Sequence, residues 1–367
     1  MSDNLTSKQA SKQASKQASK QASKQAREYY IDVLKGIAML AVILVHFNNA
    51  WNAPIGILNK ASAIGARCPQ LFFIISAYLT WTALDKKPVG YIEFLKKRCK
   101  RMAPLYYVAL VTAVLIPTFK VFDISIGNYI SHIVFLNGLN PLWCNGIIGV
   151  EWYIADLALF YLMVPCLRKL IANLKTAVIA FFASVVFSSG TLVIVNHVFS
   201  AQMAENNAYE AYFHTSFIVY QIPVMIVGII LYYLIKEIAE GRISRNLAVG
   251  IFGMTAIAVL IGFVVLHLNK RYMTSSVIAG LLFGLLFLLC SGIDNKFFAG
   301  RVFKLFIFVG KHSYGIYCFH QIVINCIMRY AFNKENLLQW GMAYLVIATI
   351  SCLIGYATEK MEKQLVV

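Results

Sequence analysis

Ten stretches of the 367-residue chain are apolar over lengths that suit a bilayer-crossing helix: 31–50, 69–84, 102–120, 147–167, 175–197, 214–235, 247–267, 273–291, 310–329 and 338–358. A helix needs about 20 mainly apolar residues to cross the hydrocarbon core. The second run is short and the fourth carries acids. Residues 297–309 (FFAGRVFKLFIFV) read as an interfacial helix leading into the ninth run. In lipid every backbone polar group must be paired internally, so such a chain has helices or a closed barrel as its choices. Runs of this length predict an all-α fold: a polytopic transmembrane helical bundle of about ten spans.

Composition agrees. Hydrophobic residues make up 59% of the chain and charged residues 13%, against about a quarter charged in a soluble domain. That is too little charge to cover a water-facing surface, which argues against a soluble enzyme, a disordered chain or a disulfide-stapled secreted module. The net charge of +17 would suggest a nucleic-acid partner in a soluble protein. Here it is read as the basic loops of a membrane protein, with no nucleic acid. Six Lys/Arg precede the first run, seven lie in 85–101, and none in 198–213. The positive-inside rule then puts both termini in the cytoplasm, and no cleavable signal is evident. The eight cysteines are scattered, without a CxxC pair or a zinc-ligand spacing. Cys68 and Cys144 are the two that an oxidising side could join. Nothing in the sequence calls for a metal.

Residues 1–27 are a separate segment, expected to be a disordered cytoplasmic tail. From Ser7 to Ala26 they repeat SKQA five times, a polar, basic pattern that cannot bury a core. SKQA can be encoded as AGC-AAG-CAA-GCA, a repeated AGCA tetranucleotide. Slippage in such a tract shifts the reading frame, so the repeat is also read as a translated on/off switch, giving phase-variable expression.

Ionisable groups inside membrane spans are costly and mark function by default. The first span (YYIDVLKGIAMLAVILVHF) holds Asp32, Lys35 and His46. Asp32 and Lys35 are three apart and can simply pair. Lys35 and His46 are eleven apart, about 20° beyond whole turns and about 16.5 Å along the axis, so they share one face. That stripe runs from a cation at the inner surface to a proton acceptor near the outer end. A snorkelled interfacial His46 is the plainer alternative. In the ninth span Ser313, Tyr317 and His320 fall at i, i+4 and i+7, again one face. They suit a site or an ordinary interhelical hydrogen-bond network. The fourth span opens GVEWYIADLALFY; Glu151 and Asp156 there are either partners for a buried histidine or groups solvated at the interface. Arg98 and Arg101, three apart before Pro104, present guanidinium forks suited to phosphate. They equally suit a positive-inside anchor.

Taken together, these segments resemble the membrane-bound acyltransferase family 3, which includes O-acetyltransferases of bacterial surface polysaccharides. Lys35 and His46 match its pattern of a basic residue, ten residues and a histidine, and Lys35–Gly36 its usual start. RCPQLFFIISAYLTW (67–81) is similar to the second-span motif through Phe72, Phe73, Ser76 and Tyr78, with Ala77 where glycine is usual. KKRCKRMAPLYY (96–107) resembles Arg-x-x-Arg-x-x-Pro. Trp152, Phe160, Tyr161 and Pro165 resemble the fourth-span pattern, although many members carry Glu at the position of Leu157 and this chain has Asp156 one place earlier. GKHSYGIYCFHQIV (310–323) is similar to the late Gly, Ser-Tyr, Tyr, His motif. The likeness covers about residues 28–358 and makes 28–367 a transmembrane acyltransferase domain.

The resemblance implies acyl transfer, most often from acetyl-CoA, to a sugar hydroxyl by a multi-pass protein of the bacterial cytoplasmic (inner) membrane. Lys35, Arg98 and Arg101 are then expected to hold the phosphates of cytoplasmic acyl-CoA. His46 acts as general base or transient acyl carrier, and Ser313, Tyr317 and His320 orient it or bind the acceptor. Glu151, Trp152 and Asp156 are candidates for the substrate side. The repeat tail favours an exposed acceptor outside the cytoplasm, such as lipopolysaccharide or lipooligosaccharide. A transporter or flippase for a lipid-linked sugar is the rival reading, although the two halves of the chain show no internal similarity. A non-catalytic assembly subunit has no sequence feature in its favour.

Overall fold

Each of the ten apolar runs contains a helix among the described residues, as a backbone without water requires, and the fourth run enters its helix at Trp152. The structure is a computed structural model that describes residues 28–116, 125–269, 275–328 and 336–365; the SKQA tail lies outside the described residues. The main helices are α1 (Tyr29–Ala50), α2 (Cys68–Lys86), α3 (Tyr91–Leu115), α4 (Ile126–Ile133), α5 (Trp152–Leu170), α6 (Leu174–Val198), α7 (Ile218–Ala239), α8 (Arg245–Asn269), α9 (Ser275–Cys290), α10 (Lys304–Lys311), α11 (Ser313–Ile327) and α12 (Leu337–Leu365). Shorter helical turns join them, and no strand occurs among the described residues.

Among the described residues, six stretches are long and apolar enough to cross a membrane: Tyr29–Ala50, Gly56–Lys86, Leu174–Val198, Asn207–Ala239, Arg245–Gly262 and Leu337–Glu362. This is fewer than the ten expected spans, for two physical reasons. α9 has 16 residues and α11 has 15, short of the length a bilayer core needs. α3 and α5 carry charged residues along their length, including Arg98 and Arg101 in one and Asp156, Arg168 and Lys169 in the other. The ninth run is also interrupted, because the chain bends at His312 between α10 and α11.

The six fall into two sets. In α1 and in the stretches containing α2 and α7, 67%, 67% and 78% of the most apolar window is buried; in α6, α8 and α12 the shares are 22%, 17% and 28%. α1, α2 and α7 therefore form the centre, and the other three present exposed apolar side chains such as Val186, Ile194, Ile257, Ile261, Leu345 and Leu353. A water-facing surface would not tolerate such bands; a lipid-facing one does.

Small residues let the central helices approach closely, as packing without a hydrophobic drive demands. α1 lies against α10 where Gly36 meets the backbone of Phe306 and Gly310 meets the carbonyl of Asp32. α11 and α12 meet in the same way at Gly315 and Gly355. Polar cross-links add to this. The Gln70 amide of α2 donates to Gln221 Oε1 of α7 at 3.1 Å and to Ser276 Oγ of α9 at 3.4 Å, all three residues fully buried.

Candidate active site

The packing of α1 against α10 places Lys35 and Lys311, the residues flanking the two glycines, beside one cavity. That cavity has a volume of about 540 Å³. Its cationic residues are Lys35, Lys311, Arg98 and Arg101, and its wall includes Tyr153, Tyr161, Tyr314, Tyr317 and Ser313. The two arginines, one turn apart on α3, thus do share a face, and that face lines the cavity. Lys35 is tied to Asp32 at 3.0 Å, so the pair read from the sequence and the cavity position coexist. Arg98 is held in place. Its guanidinium lies 4.7 Å from the Tyr161 ring centre and 5.1 Å from that of Phe94, and Nη2 donates to Thr80 Oγ1 at 3.0 Å. A planar cation stacked in this way is fixed in direction while its remaining N–H groups stay available to an anion.

Tyr317 carries the site inward from the cavity. Its hydroxyl donates to the carbonyl of Val150 at 2.5 Å, and its ring lies 5.1 Å from Tyr153 and 5.4 Å from His320. His320 is fully buried and lies 5.2 Å, ring centre to ring centre, from His46. The two histidines, 274 positions apart in the chain, are thus neighbours. His46 lies beyond the residues that line the cavity and is half-buried. Ser313 lines the cavity at the first turn of α11, on the same helix face as Tyr317 and His320.

The three residues expected on the substrate side are buried. Glu151 is fully enclosed, and its carboxylate accepts four consecutive backbone N–H groups: Ile147 at 2.8 Å, Ile148, Gly149 at 2.7 Å and Val150 at 2.8 Å. His132 Nε2 lies 3.5 Å from the same carboxylate. Trp152 takes its N–H to Asn145 Oδ1 at 3.2 Å and packs its ring on Phe73 at 6.0 Å. Asp156 is fully buried, and neither carboxylate oxygen has a hydrogen-bond partner. Burial, with Glu151 and Asp156 nearby, pushes the Cys144 thiol up to about 12.

Residues 28–357 match a family model described as an acyltransferase domain, Acyl_transf_3. The chain belongs to acyltransferase family 3. The exopolysaccharide production protein ExoZ of Rhizobium meliloti (strain 1021) is 27% identical over 81 residues, which is 21% of this chain and 26% of that protein. The chain therefore spans about a quarter of that relative's length in the match.

In this family 3 acyltransferase, four cationic side chains line one cavity and a pair of neighbouring histidines lies beyond its aromatic wall. Sequence reading missed several of its parts. Lys311 was passed over because only its packing beside Gly36 brings it to Lys35. Glu359 was missed too: it accepts the Gly315 N–H at 3.1 Å and pairs with His312 at 2.8 Å, capping α11 where the chain bends. His132 was missed because its partner, Glu151, is 19 positions away.

Proposed function

We propose that this acyltransferase moves an acyl group, acetyl in the first instance, from cytoplasmic acetyl-CoA to a hydroxyl of a cell-surface glycan. The observation that carries the reading is the cavity, lined by four cations against two acids (Glu359 and Glu362), that leads through Tyr317 to the His46–His320 pair. Arg98, Arg101, Lys35 and Lys311 bind the donor's phosphates, with Arg forks matching phosphate oxygens. The pantetheine arm occupies the cavity. His46 acts as general base toward the acceptor hydroxyl, or carries the acyl group transiently. In the reading proposed, about ten helices cross the bacterial inner membrane with both termini in the cytoplasm, which sets the four cations at the inner face. Membrane lipid surrounds α6, α8 and α12. The acceptor is a glycan outside the cytoplasm, lipopolysaccharide or lipooligosaccharide, supported by the similarity to a protein named for exopolysaccharide production. The SKQA codons form the proposed expression switch; DNA with mixed synonymous codons across the tract would remove that part.

The test is transfer of radiolabelled acetyl from acetyl-CoA to surface-glycan fractions by purified protein, wild type against His46→Ala. Label is expected on the glycan with wild type alone. Equal transfer by His46→Ala overturns the site, and absence of transfer by folded wild type overturns the acetyl-CoA donor.

A further inference from the structure

The His46–His320 pair has an internal order that neither its spacing nor the cavity reveals. His320 Nδ1 lies 2.7 Å from the carbonyl oxygen of Tyr317. A carbonyl only accepts, so Nδ1 carries the proton and Nε2 carries the lone pair. Nε2 is buried and has no hydrogen-bond partner. A buried acceptor left unpaired is costly, and such a group marks a place where a donor is missing. The ring facing it is His46, 5.2 Å away between centres at 54°. Exposure ranks the two: His46 is half-buried and His320 is fully enclosed. An incoming hydroxyl therefore meets His46, with His320 behind it.

We propose that His320 is the positioning residue of His46: its Nε2 lone pair accepts the His46 N–H, directly or through one water, and so leaves the other His46 nitrogen with its lone pair toward the acceptor. The proposal rests on the acyltransferase reading above and deepens it, since base and acyl carrier alike need that free nitrogen. In the transfer step the acceptor oxygen bonds the thioester carbonyl carbon and the C–S bond breaks. The hydroxyl proton passes to His46 and then to the departing thiolate, while His320 keeps its own Nδ1 proton on the Tyr317 carbonyl. Tyr317 is in turn anchored through its hydroxyl to Val150, in the loop that Glu151 gathers. The orientation of the base is thereby fixed from a third element.

The experiment compares His320→Leu, His320→Gln and His46→Ala in the acetyl-transfer assay, with kcat and KM for acetyl-CoA measured separately and folding followed by thermal unfolding. His320→Leu is expected to lower kcat about 10²-fold with KM for acetyl-CoA unchanged. His320→Gln, whose amide oxygen reaches the place of Nε2, is expected to restore most of the loss. A wild-type kcat for folded His320→Leu overturns the proposal, as does a folded His320→Gln that is no better than Leu. If His320→Leu does not fold, His320→Gln is set against His320→Asn, which puts its oxygen at the Nδ1 position; equal kcat for the two overturns the proposal. Activity in His46→Ala defeats the acyltransferase site itself, whereas an inactive His46→Ala beside a fully active His320→Leu defeats the positioning role alone.

Discussion

Gly36 of α1 and Gly310 of α10 are in backbone contact: a methyl group added at Gly310 would lie 3.0 Å from the Gly36 nitrogen and would overlap the Asp32 carbonyl. The reverse addition at Gly36 would overlap the backbone of Phe306. Both obstacles are main chain, which cannot swing aside as a side chain can. The contact also fixes Lys35 and Lys311 beside the same cavity. Gly310→Ala is expected to destabilise the protein by about 1–3 kcal/mol, the usual cost of overpacking, and to raise KM for acetyl-CoA. Thermal unfolding in detergent and steady-state kinetics check both effects. An unchanged melting temperature would contradict the close approach.

Arg98 and Arg101 line one cavity but sit differently, and this predicts different responses to the same change. Arg98 is stacked on Tyr161 and bonded to Thr80, so Arg98→Lys loses the planar contact and the fixed direction with it. Arg101 is exposed at the cavity. Arg101→Lys is therefore expected to change KM for acetyl-CoA little, while Arg98→Lys raises it about tenfold, the equivalent of one charged hydrogen bond. In both, kcat at saturating donor stays near wild type. Equal effects of the two lysine variants would show that the stacking on Tyr161 carries no binding role.

These contrasts mark how far the sequence could be read. Length and hydropathy locate all ten helical runs, because an apolar segment in lipid has little alternative to helix. The same pattern runs past the helix ends, since α9 and α11 are shorter as described helices than their apolar runs. On the site, helical spacing places Lys35 and His46 on one face and Arg98 beside Arg101. It also gathers Ser313, Tyr317 and His320. What spacing cannot do is join elements. The His46–His320 contact, the Lys35–Lys311 pairing and the His132–Glu151 contact each depend on tertiary packing that leaves no local periodic signal. The gathering of four N–H groups by Glu151 is local in sequence, yet it depends on loop backbone conformation that no residue pattern at 147–150 announces.

That loop supplies the next prediction. Glu151 satisfies four consecutive backbone N–H groups with two oxygens, and the Val150 carbonyl in turn accepts the Tyr317 hydroxyl. Glu151→Gln keeps the shape but replaces one acceptor oxygen by an NH2 donor, which faces N–H groups instead of pairing with them. The loss is expected at about 2–5 kcal/mol, the range for breaking a buried charged network. It should appear as a lower melting temperature and faster proteolysis within residues 137–150. Because Tyr317 would lose its anchor, kcat should fall in whatever protein remains folded. A variant as stable as wild type would show that the four N–H groups find other partners.

Asp156 stands one turn along the same helix and behaves in the opposite sense. Its carboxylate is fully buried, beside Gly138 and without a hydrogen-bond partner on either oxygen. A buried acid of this kind contributes desolvation cost and no compensating bond. Burial without a partner already disfavours the ionised form, so Asp156→Asn, nearly isosteric and uncharged, is expected to keep the melting temperature, whereas the equivalent change at Glu151 lowers it. The pair of variants is informative because both acids lie within one turn of the start of α5 and were equal candidates on sequence. If Asp156 contacts the acceptor glycan, the stable Asp156→Asn protein should show a raised KM for glycan with KM for acetyl-CoA unaltered. If the melting temperature instead drops as far as in Glu151→Gln, Asp156 is a structural ion with a partner, and its place as an unpaired group is wrong.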